Sequence, residues 1–242
     1  MTDPMILSGP ANDIDSLRQT LIAGSLQVQQ QIIPQLADLG NEGLTVLMEF
    51  LLKRRDNPAT WIDGKVYQAL YNSDALQVKE FLLSCFPEGI VPLKSECGIN
   101  YKPLQQLLAA QDFQAADRLT IEKMCELAGP TAVQRKWLYF TEVENAPAVD
   151  LQTINHLWLV HSEGKFGFSV QREIWLGVGK NWDNFWPKIG WKNGNNWTRY
   201  PNGFTWDLSA PKGHLPLSNQ LRGVRVFASL LSHPAWTKSA TN

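Results

Sequence analysis

Apolar residues recur three, four and seven positions apart in the first third of the chain, and the first stripe consists of Ile14, Leu17, Leu21 and Ile22. This spacing is typical of amphipathic helices that bury one face. Glycines separate successive stripes, and Pro34 within the second stripe predicts a kink or a short break. The pattern predicts a small helical bundle over residues 13–86, preceded by a disordered tail at residues 1–12.

A stretch rich in proline and glycine follows the bundle and predicts a linker at residues 87–100. Helical periodicity then returns, and its clearest buried stripe spans residues 147–161. Asp117 is predicted to lie on the polar face of an earlier helix. These patterns predict a second, helical core domain at residues 101–236, with a short tail at residues 237–242.

Residues 181–213 combine five tryptophans with many Gly, Pro and Asn and show no long helical period. This composition predicts a long irregular loop that aromatic packing keeps ordered. Its rings would form either a cup for a flat apolar ligand or a core built of tryptophan. A short extended pair is predicted only at residues 203–208. A helix from Pro216 would bring Arg222 and Arg225 out together, three positions apart. The predicted fold class is therefore all-α.

Charge is distributed unevenly over the 242 residues, whose formal net charge is -1. Residues 164–242 contain ten Lys or Arg and three Asp or Glu, a net charge of +7, so residues 1–163 carry -8. The overall balance argues against a general nucleic-acid binder, whereas the basic end favours an anionic ligand. Arginine pairs with carboxylates through a planar fork, which makes Arg199, Arg222 and Arg225 candidates for binding acidic groups.

Few residues suggest catalysis or metal binding. The three cysteines form no CxxC pair, the four histidines form no HExxH motif, and no glycine-rich nucleotide loop is present. His161 or His214 could be an axial ligand to a tetrapyrrole metal, although a packed histidine is the alternative. Asp207 could be a base or a turn residue. No apolar run approaches the roughly 20 residues that a membrane helix needs. The sequence indicates a binding protein more than an enzyme, with no metal site and no required cofactor.

Five stretches resemble the genomes-uncoupled-four family: FTEVE at 140–144, FGFSVQR at 166–172, FWPKIGW at 185–191, GFTWDLSAP at 203–211, and GHLP at 213–216 running into LRGVRV at 221–226. The resemblance covers about residues 100–236. The N-terminal half is similar, more weakly, to the helical bundle of cyanobacterial members.

The resemblance implies a cupped helical core that binds protoporphyrin IX and its magnesium derivative without catalysis. It implies stimulation of magnesium chelatase in chlorophyll biosynthesis, with that enzyme's large porphyrin-binding subunit as partner. It also implies a cytoplasmic location with some association at the thylakoid membrane surface. Carried over by motif, the ligand-binding residues are Trp197, Arg199, Phe204, Trp206, Asp207, Asn219, Arg222 and Arg225. A second wall of the site is expected from Val133, Trp137 and Phe140.

Two other functions remain open from the residues alone. The first is an enzyme acting on tetrapyrroles, with His214 or Asp207 in proton transfer. The second is a tryptophan platform for carbohydrate, which would use the same aromatic rings. A sugar needs many neutral hydrogen-bonding partners, whereas the basic end of this chain suits an acid.

Overall fold

The computed structural model describes residues 10–217 and 224–237, with side chains from Ile14 onward. Regular structure within them is almost all helical, which confirms the predicted all-α class. The chain divides into two compact units, one up to Ile90 and one from Val91. Among the described residues, no helix is both long and apolar enough to cross a membrane.

The N-terminal unit contains five helices: α1 (Pro10–Ala23), α2 (Leu26–Asp38), α3 (Gly40–Lys53), α4 (Trp61–Tyr71) and α5 (Leu76–Cys85). Helix α2 packs against α1, α3 and α4. Residues 10–12, expected in the tail, belong to α1, because Pro10 has the backbone angle that suits a first helical turn. Pro34 does not interrupt α2.

Close packing of α2 and α3 depends on Gly43. A Cβ atom at this position would lie 1.8 Å from the backbone oxygen of Leu36, so no other side chain fits without moving a helix. Leu36 and Leu47 are fully buried beside this contact. The missing side chain therefore sets how closely the two helices approach each other.

The C-terminal unit contains eight further helices among its described residues: α6 (Lys102–Ala109), α7 (Phe113–Ala128), α8 (Pro130–Arg135), α9 (Phe140–Glu144), α10 (Ala148–His161), α11 (Phe168–Gly177), α12 (Trp182–Lys188) and α13 (Val224–Ser232). Two short antiparallel strands, β1 (Lys192–Asn193) and β2 (Asn196–Trp197), follow α12. A 3-10 helix, Pro234–Trp236, ends the described part.

Helix α10 belongs to the core of this unit, because its Leu151, Ile154, Leu157 and Trp158 side chains are fully buried. The indole N–H of Trp158 donates a hydrogen bond of 3.0 Å to the hydroxyl of Thr120 on α7. Phe113 and Phe166 pack against the same indole ring. The polar atom of this large core side chain is thus satisfied inside the protein.

A buried carboxylate on α10 fixes the start of the unit. Asp150 accepts hydrogen bonds from the Ser95 hydroxyl, from the Glu96 backbone N–H at 2.9 Å and from the Tyr101 hydroxyl at 2.8 Å. Residues 91–100, which the sequence places in a linker, are therefore bonded into the C-terminal unit. The exact limits of the two domains and the linker stay predictions.

The long loop is less irregular than its composition suggests. Residues 182–188 are helical, because the Asn181 side chain caps the helix by accepting the Asn184 N–H at 3.0 Å. The extended pair predicted at residues 203–208 is wrong: those residues form turns, and the strands flank Gly194, whose φ of +57° suits a tight turn. Asparagine and glycine, read as loop residues, here cap a helix and close a hairpin.

Residues 213–217 form a strap across the core, in a non-helical conformation. The Gln171 side-chain amide donates to the backbone oxygens of Gly213 at 3.0 Å and Pro216 at 2.8 Å. The Leu217 N–H donates to the Asp117 carboxylate at 2.6 Å. Asp117 is therefore buried beneath the strap, and its prediction as a solvated polar-face residue is wrong. Pro216 and Leu217 are not helical, so the predicted helix does not start at Pro216; the last described α-helix is Val224–Ser232, and residues 218–223 lie outside the description.

Candidate functional site

Aromatic side chains from α11, α12, the hairpin and α13 pack into one cluster, formed by Trp175, Trp182, Phe185, Trp186, Trp191 and Phe227. The ring centroids of Trp182 and Trp186 lie 5.0 Å apart, and those of Trp186 and Trp191 lie 5.6 Å apart with their planes only 10° from parallel. Phe227 stacks 5.4 Å from Trp191. Trp186 and Trp191 are buried. Trp186 and Trp191 therefore belong to the core, which agrees with the sequence interpretation of a core built of tryptophan.

Exposed rings stand on this buried cluster. Trp197 is 48% exposed and packs its ring edge-on against Trp186 at 5.6 Å. Tyr200 is 52% exposed, and its ring packs against the ring of Trp206. The Trp206 ring also packs against the buried ring of Phe204. Of the predicted ligand residues, Trp197 and Trp206 therefore offer ring surface to a ligand, whereas Phe204 supports them from below.

His214 connects two parts of the segment that was predicted as a loop, one at Ile189 and one at Thr205. Its Nδ1 lies 2.6 Å from the backbone oxygen of Ile189, so Nδ1 carries the proton, and its Nε2 accepts the Thr205 N–H at 3.2 Å. Its own backbone oxygen accepts the indole N–H of Trp191 at 2.8 Å. Burial lowers the pKa of His214, which keeps the ring neutral. Both ring nitrogens are used for structure, so His214 is not placed to bind a metal.

Asp207 is a turn residue. Its carboxylate accepts the Ser209 N–H at 2.7 Å, the geometry of an Asx turn. Hydrogen bonds from the Ser209 hydroxyl and backbone lower the pKa of Asp207. The Lys165 ammonium bonds the neighbouring Leu208 oxygen, which holds this turn against the chain. A lowered pKa makes the carboxylate a weaker base, which disfavours a role in proton transfer.

Cations lie beside the exposed rings. The Lys192 ammonium sits 5.5 Å from the centre of the Trp197 ring, and Arg199 is exposed two residues beyond that tryptophan. Arg225 is exposed on α13, with its guanidinium 5.9 Å from the centre of the Phe140 ring. The predicted residues Asn219 and Arg222 lie outside the described part of the chain.

Helix α13 joins the aromatic cluster to the predicted second wall. Phe227 contacts the cluster, while Arg225, two positions earlier, contacts Phe140 on α9. Val133 and Phe140 are exposed, and Trp137 is half-buried. Helix α13 thus contacts Phe140 of the predicted second wall and the buried cluster that supports Trp197.

An apolar pocket lies between α7, α13 and the α8–α9 turn. The cavity volume is about 20 Å³, which is room for roughly one water molecule. The pocket is lined by Ile121, Met124, Trp137, Leu138, Phe168, Leu217, Val226 and Leu230. Trp137 therefore lines a narrow apolar cleft, which is far smaller than a ligand pocket of several hundred Å³.

Sequence reasoning missed Arg135 and Tyr139 in this region. The guanidinium of Arg135 lies over the Trp137 and Tyr139 rings, 4.5 and 4.3 Å from their centres. Tyr139 is 49% exposed. No local pattern predicts this contact, because Arg135 ends α8 and the left-handed Lys136 turns the chain back toward it.

Two family profiles match this sequence. The GUN4-like profile matches residues 94–234, and an ARM-like repeat profile of the GUN4 N-terminal domain matches residues 5–87. The chain belongs to the GUN4 family. The resemblance drawn from the sequence motifs is thereby confirmed.

Relatives of this GUN4-family chain match it over nearly its whole length or over about three fifths of it. A Ycf53-like protein of Synechocystis sp. is 53% identical over 94% of this chain and 98% of its own length. A chloroplastic tetrapyrrole-binding protein of Arabidopsis thaliana is 38% identical over 61% of this chain and 59% of its own. The structure of GUN4 from Chlamydomonas reinhardtii matches with a TM-score of 0.56 and 42% identity, over 60% of this chain and 96% of the other. Ligand-free Arabidopsis thaliana GUN4 matches with a TM-score of 0.54 and 40% identity, over 57% and 99%.

Proposed function

We propose that this chain is a non-catalytic tetrapyrrole-binding protein that stimulates magnesium chelatase in chlorophyll biosynthesis. Its ligands would be protoporphyrin IX and magnesium protoporphyrin IX, and its partner the large porphyrin-binding subunit of the chelatase. The observation that carries the proposal is the pair of exposed rings, Trp197 and Tyr200, supported by buried aromatics and flanked by cations. Membership of the GUN4 family and the name of the Arabidopsis relative support it.

A porphyrin fits this chemistry in two respects. Its flat face gains about 25 cal/mol for each Å² of apolar area removed from water, and the exposed rings of Trp197 and Phe140 offer such area. Its two carboxylates would pair with arginine forks, for which Arg199 and Arg225 are exposed. Asn219 and Arg222 are proposed to complete this edge. The cations also favour an acid over a neutral sugar.

A titration with deuteroporphyrin IX, a soluble analogue, tests binding. We expect a saturable shift of the porphyrin's main absorption band together with quenching of tryptophan emission. Trp197→Ala removes the exposed ring and should weaken binding. Arg225→Ala removes a charge-assisted hydrogen bond of about 1.5–3 kcal/mol, which corresponds to about tenfold or more in Kd.

Lys212→Ala is the matched control, because it also removes one cation of the basic half, from an exposed pair with Glu173. Its affinity should equal that of the wild type. If the absorption band does not shift at any porphyrin concentration, binding is refuted. Titration with a neutral oligosaccharide should leave tryptophan emission unchanged, and saturable binding of it would favour the carbohydrate alternative.

The regulatory part of the proposal needs a separate assay. Magnesium insertion by purified chelatase subunits should accelerate when the chain is added, and the Trp197→Ala variant should accelerate it less. If the chain binds porphyrin but does not accelerate magnesium insertion, it is a tetrapyrrole carrier, and the regulatory part of the proposal is refuted. Conversion of porphyrin by the chain alone would instead support an enzyme.

A further inference from the structure

The turn between α8 and α9 is built around a single arginine. Arg135 ends α8, and the next residue, Lys136, has a φ of +60°, which turns the chain away from the helix axis. The Arg135 Nε and Nη2 donate to the backbone oxygen of Trp137 at 3.1 and 2.9 Å. Nη2 also donates to the Glu142 carboxylate at 2.6 Å.

Glu142 closes this arrangement from the other side. The same carboxylate oxygen accepts the Tyr139 N–H at 2.7 Å, which caps the first turn of α9. The side chains of Arg135 and Glu142 are only 16% and 22% exposed. One ion pair therefore fixes both ends of the turn.

The guanidinium also holds two aromatic rings. Trp137 and Tyr139 lie against it, and their centroids are 4.5 Å from each other. Planar guanidinium groups stack favourably on aromatic rings, whereas an ammonium is a compact point charge. The hydrogen bonds and both ring contacts together occupy Arg135, which leaves little of its charge for an external carboxylate.

We propose that Arg135 and Glu142 are positioning residues, which hold Trp137, Tyr139 and Phe140 as a preformed wall of the ligand site. Tyr139 is part of this wall, with half of its surface free for a ligand. The inference rests on the proposed function, because it concerns binding of the same porphyrin. A preformed wall raises affinity because fewer groups must be ordered when the ligand arrives.

Three variants separate positioning from direct attraction of the ligand's charge. Arg135→Gln removes the stack and the fork, and Arg135→Lys keeps the charge but loses both. We expect deuteroporphyrin affinity to fall by about tenfold in each, which corresponds to a wall that is preformed in about one molecule in ten. Glu142→Gln keeps an acceptor for the Tyr139 N–H and should lose less.

Lys123→Gln is the control, because it breaks a different ion pair, that of Lys123 with Glu126 on α7, and should bind as the wild type does. The positioning role predicts an unchanged absorption maximum of the bound porphyrin. Backbone hydrogen exchange at residues 139–143 should be faster in the ligand-free variants and should slow when porphyrin is added.

Wild-type affinity in Arg135→Lys, with a loss in Arg135→Gln, would mean that Arg135 acts through its charge and would overturn the proposal. Unchanged affinity in both variants would overturn it as well. If both variants fail to fold, Glu142→Gln decides: weaker binding with faster exchange supports the proposal, and wild-type behaviour refutes it. A wild-type chain that binds no porphyrin refutes the proposed function instead, so the two failures are distinct.

Discussion

The buried carboxylate beneath the strap makes the stability of the C-terminal unit depend on pH. Asp117 accepts the Leu217 N–H, but burial raises its pKa from 3.8 to about 7, against the opposing effects of this hydrogen bond and of Arg118. Asp117→Asn keeps a carbonyl oxygen as acceptor and removes the ionisation. It also adds two amide donors, whose effect on stability does not vary with pH.

The direction of the pH dependence of stability follows from the difference in proton affinity of Asp117 between the folded and unfolded states. Because the folded protein holds the proton more tightly, the contribution of Asp117 is fully present below about pH 3.8. It falls as the pH rises and is lost above about pH 7. At about 1.4 kcal/mol per pKa unit, the wild type should lose about 3 kcal/mol relative to Asp117→Asn between pH 5 and pH 8. For a unit of about 150 residues, each kcal/mol shifts the thermal midpoint by about 2–4 °C.

Urea unfolding followed by tryptophan emission at pH 5, 6, 7 and 8 measures this difference directly. Nine of the ten tryptophans lie in the C-terminal unit, so the signal reports mainly on that unit. Asp183→Asn, at an exposed carboxylate, should run parallel to the wild type at every pH. Parallel curves for Asp117→Asn and the wild type would show that Asp117 does not titrate in this range, and the reasoning would be refuted.

Three further changes test the packing. His214→Phe leaves the Ile189 oxygen and the Thr205 N–H without partners, which should lower the free energy of unfolding by about 1–3 kcal/mol for each buried group. A urea midpoint equal to that of the wild type would contradict this expectation. Gly43→Ala overpacks α2 against α3 and should lower the free energy of unfolding of the N-terminal unit by about 1–3 kcal/mol, as far-UV circular dichroism in urea would measure. Asp150→Ala removes the acceptor for three donors, so hydrogen exchange at residues 95–101 should become faster; unchanged protection would mean that other contacts hold this segment.

Helical periodicity was sufficient to predict the fold class, because apolar stripes dominate both halves of the chain. It failed at α12, where Pro187 and the surrounding Gly and Asn resemble a loop. Stacking of Trp186 on Phe227, which is far away in the sequence, stabilises this helix, and such a long-range contact leaves no local signal. The prediction for Asp117 failed for a related reason, because its hydrogen-bond partner, Leu217, is a hundred residues away.

Within the candidate site, composition predicted the aromatic and basic character, and family motifs selected individual residues. Neither separated rings that support the site, such as Phe204, from rings that are exposed, such as Trp197. That difference depends on which side of the cluster each ring occupies. The role of Arg135 was not predicted because its ring contacts and its bond to a backbone oxygen leave no charge pattern, and its acidic partner, Glu142, lies on the next helix.

Stacked indoles at centroid separations of 5.0 and 5.6 Å are close enough for excitation energy to pass among them. Light absorbed by any of Trp182, Trp186 and Trp191 can therefore migrate to Trp197, which touches Trp186. A single porphyrin bound against that outer ring would then extinguish the emission of several buried tryptophans that it never contacts. The tryptophan emission of the whole cluster would therefore report whether a porphyrin occupies the surface at Trp197. Trp197→Phe should reduce the extent of quenching at saturation more than one lost fluorophore would.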